Sequence, residues 1–163
     1  RERERERETS IADYACNAPS SSSPHCTAAL KMASSPMQVI EPVAVITSPD
    51  LTITEYFGRV ANNDLCLSAC VAEVTAPCEE AFQTPAFDEY ALILEGVVEI
   101  IMDDKVHRVE AGKGILLQRG TRVKWRWPGP CKYVPICLPA FSPDNCGREE
   151  ETGDNIAKDE QAL

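Results

Sequence analysis

The chain has 163 residues with 44% apolar content, enough for one domain around a single core. Its net charge of −10 leaves little basic surface for phosphates, which argues against a nucleic-acid partner. No apolar run approaches the roughly 20 residues of a membrane helix, and no charged-apolar-small secretion signal opens the sequence, so a soluble, cytoplasmic protein with no membrane contact is expected.

In chain order, the first feature is "RERERERE", a strict two-residue repeat, followed closely by "SSSSPHC". Alternating Arg and Glu is also what an AGAGAG tract gives when read as codons, and "MASSPMQVIEP" opens at Met32 like an ordinary start. Residues 1–31 are therefore expected to be a translated leader. Residues 1–36, whose charges balance, read as a disordered low-complexity tail. Residues 151–163, inside the polar run "EEETGDNIAKDEQAL", read as a flexible acidic tail.

The texture changes at Pro42. "VAVIT", "LTITEYF", "LCLSACVAEVT", "YALILEG", "VVEIIM", "KVHRVEAG", "GILLQRG", "RVKWRW" and "KYVPICL" follow in turn, each short and rich in aliphatic or aromatic residues, with turn formers between them. Asp103-Asp104 sits at the centre of "VVEIIMDDKVHRVEAG", where a two-residue hairpin turn fits. Regular strands without a long helix predict an all-β sandwich or barrel over residues 37–150. The eight cysteines show no CxxC spacing, and His25 and His107 are the only histidines. A zinc site is not indicated, and the thiols are expected to be reduced and to act as small hydrophobes.

Two spacings carry a resemblance. Glu89 is followed by six residues and Gly96; Gly112 is followed by five residues, then Gln118 and, two positions on, Gly120. In this order, around the hairpin, they resemble the two motifs of the cupins, G(X)5HXH(X)3–4E(X)6G and G(X)5PXG(X)2H(X)3N. The ending "KYVPICLPAFSPDN" is similar to ethanolamine-utilisation-type single-domain cupins, and the resemblance covers roughly residues 40–148. It implies a single-domain, RmlC-like jelly-roll barrel, often dimeric, with a metal held by three imidazoles and one carboxylate. This chain keeps only the carboxylate. The first two histidine places hold Phe82 and Thr84, or Gln83 and Pro85, depending on the gap; the third holds Val123, and Trp127 takes the final place. Imidazole nitrogen is what holds iron, nickel or zinc in such a centre. The expected metal site is therefore degenerate, with no cofactor, the alternative being a weakly bound divalent ion.

Strand alternation then sorts the side chains. Glu89, Ala91 and Ile93 share one face, and Asp88 should face solvent. If Val123 points inward, so do Trp125 and Trp127, while Arg122, Lys124 and Arg126 point out and pair with carboxylates across the sheet. Phe82 or Gln83, with Glu89, Val123, Trp125 and Tyr133, would line an apolar cavity of the kind that holds small molecules; Trp125 and Trp127 also read as plain barrel core. Glu89, the candidate catalytic residue, would be hard to ionise in such a place and suited to acid–base work, or else held structurally at the barrel mouth. His107 lies away from these positions and reads as a surface residue.

Three functions are compatible with this pattern. The first is a small-molecule-binding cupin without assigned catalysis. The second is a cupin lyase, isomerase or hydrolase using Glu89, with Gln83 and Tyr133 as hydrogen-bonding partners. The third is a homodimeric scaffold or assembly protein.

Overall fold

The computed structural model describes residues 36–150. The expectations for residues 1–35 and 151–163 lie outside the described residues. Ten strands run through the described part: β1 (Val43–Thr47), β2 (Leu51–Phe57), β3 (Ser68–Val74), β4 (Cys78–Glu79), β5 (Asp88–Glu95), β6 (Val97–Met102), β7 (Lys105–Glu110), β8 (Gly114–Leu117), β9 (Lys124–Trp127) and β10 (Cys131–Leu138). A short 3-10 turn, Pro143–Asn145, follows. The strands form two antiparallel sheets, ordered β1-β2-β3-β10-β5-β8 and β4-β9-β6-β7. Beside the consecutive pairs β1-β2, β2-β3 and β6-β7, the other neighbours are distant in sequence, as a jelly roll requires, and the side chains between the sheets form the core.

Local chemistry explains the turns. Asp103 and Asp104 have φ of 48° and 59°, and Met102 pairs directly with Lys105. Two successive positive-φ residues make the mirror-image turn whose twist suits a hairpin, and Asp tolerates that region better than most residues. Gly96, between β5 and β6, has φ of 77°, and a Cβ there would stand 2.1 Å from the Pro130 carbonyl oxygen. Only glycine meets both demands, so this motif glycine lets the β5–β6 turn close onto the segment before β10.

The buried face follows strand alternation. Glu89, Ala91 and Ile93 are buried on β5, while Tyr90, Leu92 and Leu94 are exposed. On β9, Trp125 and Trp127 are buried and flanked by half-buried Lys124 and Arg126. Trp125, Trp127 and Tyr133 stack mutually, with centroids 5.7–6.1 Å apart and planes within 26°. The core continues through Val98 and Ile100 of β6 and Ala72 and Val74 of β3. The indole N–H groups of Trp125 and Trp127 are buried without a hydrogen-bond partner.

Outside, the basic stripe is paired. Arg126 meets Glu99 at 2.7 Å, Arg122 meets Glu149 at 2.6 Å, and Lys124 contacts Glu79. Asp88 differs from the expectation of a merely solvated carboxylate. Arg119 reaches it with its backbone N–H at 2.9 Å and two guanidinium nitrogens at 3.1 and 2.7 Å. These donors, with the guanidinium charge, hold its carboxyl down at about 2. The thiols also depart from expectation at one point. Cys66 is disulfide-bonded; it is exposed in the loop before β3 rather than packed in a strand. Cys70, Cys78, Cys131, Cys137 and Cys146 are free. Among the described residues, no helix is long and apolar enough to cross a membrane.

Candidate ligand-binding cavity

The inward face of the barrel is not filled along its whole length. A cavity of about 600 Å³ lies between the sheets at the end where β5 begins. That volume is in the usual range for small-molecule sites. The six-stranded sheet supplies one wall as a row of inward positions: Glu55 on β2, Cys70 on β3, Cys137 on β10 and Glu89 on β5. Antiparallel register aligns them, with Glu55 opposite Cys70 and Cys137 opposite Glu89.

The opposite wall hangs from β9. The Glu80 N–H donates to the Trp125 carbonyl at 3.0 Å, and Gln83 exchanges two backbone hydrogen bonds with Val123, each 2.9 Å. These bonds carry the irregular segment after β4 along the rim and leave the Glu80 and Gln83 side chains lining the cavity. The chain after the 3-10 turn braces this segment from outside, because Thr84 N–H donates to Gly147 and Glu149 N–H donates to Phe82. Trp125 and Tyr133 complete the lining with aromatic surface.

Glu89 is the unusual group. It is 8% exposed, and no hydrogen bond or ion pair reaches its carboxyl among the described residues. Burial pushes its pKa up to about 8, with the nearby Glu80 charge adding to the effect. Glu80 is also raised by burial, against the pull of Arg148, whose guanidinium stands 3.2 Å away. Burial likewise raises Cys70 to about 12 and lifts Tyr133 and Cys137. At neutral pH this end of the cavity therefore holds a protonated Glu89, which can donate as well as accept a hydrogen bond.

Gln83, Glu89, Trp125 and Tyr133 thus come together around one space. Phe82 does not line it. Its side chain is half-buried on the outside beneath Arg122, whose guanidinium carbon is 3.7 Å from the ring centroid, a cation–π contact. Of the two gap choices, the structure turns Gln83 inward and Phe82 out. Val123 is fully buried, but it contributes to the core and not to the cavity lining. Trp127 also belongs to the core, whereas Trp125 serves both. His107 is exposed on β7, in the sheet's edge strand. Sequence reasoning passed over Glu55, Glu80, Cys70 and Cys137. For Cys137 a signal existed: the same face of its strand carries Tyr133, two alternations away.

No family model matches the chain. Over 81 residues, 47% of this chain, it is 40% identical to the endoribonuclease YbeY of Myxococcus xanthus strain DK1622, and it spans only 28% of that protein's length. Among solved structures, an oxalate decarboxylase variant from Bacillus subtilis aligns with a TM-score of 0.54 at 12% identity, covering 63% of this chain and 29% of that one. KdgF from Halomonas sp. aligns with a TM-score of 0.51 at 12% identity, covering 62% and 89%. The fold is that of a cupin. EutQ from Clostridium difficile also superposes, at a TM-score of 0.49 and 18% identity over 58% of this chain and 72% of its own.

A cupin barrel is associated with a metal, so the donor set has to be tested. At the histidine places of the motifs, with Gln83 turned inward, this chain carries Gln83, Pro85 and Val123, of which only Gln83 bears a side-chain ligand atom, a weak amide oxygen. Among the described residues, no three of His, Cys, Asp and Glu are grouped so as to hold a metal ion. Glu89 and Gln83 alone do not fit the cupin metal centre.

Proposed function

We propose that this protein is a cupin-fold, cytoplasmic binding protein whose barrel cavity takes a small organic molecule in place of a metal. The observation that carries this reading is the buried carboxyl of Glu89, without a partner among the described residues and lining a cavity of ligand size. Buried polar groups ordinarily find a partner in the protein. Here the cavity leaves room for one from outside. Gln83 and Tyr133 stand beside Glu89 as further hydrogen-bonding groups, and Trp125 offers an apolar surface.

The raised pKa of Glu89 favours proton transfer to a bound molecule as a second reading, since a group protonated at neutral pH can act as a general acid. Nucleic acid is not the proposed ligand. The endoribonuclease name belongs to the much longer Myxococcus protein, and the net charge of −10 here opposes phosphate binding. Assembly as a homodimer is part of the proposal and is supported by Tyr90, Leu92 and Leu116, which are 45–53% exposed side by side on the outer face of β5 and β8.

The direct test is a thermal-shift screen of a metabolite library, with intrinsic tryptophan fluorescence as the second readout because Trp125 lines the cavity. A hit that raises Tm in wild type and loses its effect in Glu89→Ala supports the reading. Hits unaffected by substitution at Glu89, Gln83 and Tyr133 would place binding elsewhere and overturn it.

A further inference from the structure

The groups facing Glu89 can be taken element by element. Glu55 comes from β2, Cys70 from β3, Glu80 from the segment after β4, and Tyr133 and Cys137 from β10. None of these is a cation. Two arginines line the same cavity, and among the described residues neither is hydrogen-bonded or ion-paired to Glu89. Arg148 is paired with Glu80, and Arg59 is exposed and donates to the Ala140 carbonyl at 3.4 Å. Glu55 is satisfied by the Val60 and Ala61 N–H groups at 2.7 and 2.8 Å. Among the described residues, Glu89 is therefore a nearly fully buried acid with no ion-pair partner, near a second, half-buried carboxylate paired with Arg148, and against stacked aromatic rings.

Resting on the binding reading above, we propose that the occupant of this cavity is an organic ammonium, its protonated nitrogen between Glu89 and Glu80 and its hydrocarbon part against Trp125 and Tyr133. The chemistry that would recognise it is complete on one site. An ammonium supplies the positive charge that Glu89 lacks and several N–H donors for the carboxylate oxygens. Electron-rich ring faces attract a cation that has shed its water. An anion would instead meet the Glu80 charge and oppose any ionisation of Glu89. A neutral ligand would leave Glu89 protonated and the Glu80 charge unanswered except by Arg148. Below pH 8 Glu89 holds its proton in the free protein, so taking up an ammonium expels that proton to solvent. The bound state then carries an ion pair in place of a neutral acid.

The test uses three probes of nearly equal shape and different charge, n-butylammonium, n-butanol and butyrate, titrated calorimetrically into the full chain from pH 6 to pH 9. An alkylammonium, with a pKa near the lysine value of about 10.4, stays protonated across this range. The expected result is at least tenfold tighter binding of butylammonium than of the other two. Its affinity should rise roughly tenfold per pH unit up to about pH 8 and then level, with one proton released per molecule bound at pH 6. Glu89→Gln should lose tenfold or more of the ammonium affinity and all of the pH slope, a far larger loss than for butanol. Glu80→Gln should weaken ammonium binding and keep the slope. Preference for butanol or butyrate, or ammonium binding indifferent to pH and to Glu89→Gln, would overturn the ammonium proposal alone. Failure of all three probes to bind would take the small-molecule reading down with it.

Discussion

Replacing Glu89 by Gln isolates the cost of one buried acid, because the shape is kept and the ionisable proton is lost. With a folded pKa of about 8 against about 4.5 unfolded, Glu89 binds more protons folded than unfolded between those values. Stability must then fall as pH rises through that window, by about 1.4 kcal/mol per pH unit where the difference is one full proton. The penalty is absent below pH 4.5, is about 1 kcal/mol at pH 5, and levels at about 4–5 kcal/mol above pH 8. Titrating groups remote from Glu89 are common to both proteins and cancel in the difference, leaving Glu89 and the Glu80 coupled to it. Glu89→Gln should therefore be nearly neutral at pH 5 and more stable than wild type by several kcal/mol at pH 9. Urea unfolding of both proteins, followed by tryptophan fluorescence at pH 5, 7 and 9, measures this directly. A pH-independent difference would refute the raised pKa. A loss of about 3–5 kcal/mol at high pH would show that the substitution strands a buried cation, making Glu89 an ion-pair partner.

Gly96→Ala should destabilise the barrel by about 2 kcal/mol or more, since a Cβ at φ 77° would meet the Pro130 carbonyl at 2.1 Å; equal denaturation midpoints for the two proteins would contradict that packing. Elemental analysis of purified protein should find well under one equivalent of iron, nickel, manganese or zinc, given the amide, proline and aliphatic groups at the histidine places. One equivalent released by Glu89→Ala would show that non-family donors complete a metal site.

The fold was legible because its strongest signals are local. Val-, Ile- and Leu-rich runs mark β5 and β6, the alternation of Trp with Lys and Arg marks β9, and the Asp103-Asp104 pair sits at a hairpin whose geometry demands positive φ twice. The two-residue strand β4 escaped, because a pair of residues has no period to detect and Cys78–Glu79 is a strand only by pairing with Trp127 and Arg126. Asp88 was misjudged for a similar reason. Alternation places it on the outer side of β5, but only the tertiary turn after β8 brings Arg119 within reach.

The cavity was half-legible, and the division is physical. Residues on strands could be assigned by parity, so Glu89, Trp125 and Tyr133 were found from one assumption about direction. Residues on irregular chain could not. Phe82 and Gln83 are neighbours, and which of them enters the barrel depends on the hydrogen bonds that Gln83 shares with Val123, 40 positions further along the chain. Glu80 entered for the same reason, held by the Trp125 carbonyl. It is Glu80 that changes the chemistry. With Glu89 alone, the cavity would be an apolar space with one protonated acid, able to take many neutral molecules. With a second carboxylate beside it, ionising Glu89 costs more, the Arg148 charge answers Glu80 alone, and the ligand that lowers this cost most is one that brings a positive charge. The residue that sequence periodicity could not place is thus the one that narrows the choice of ligand.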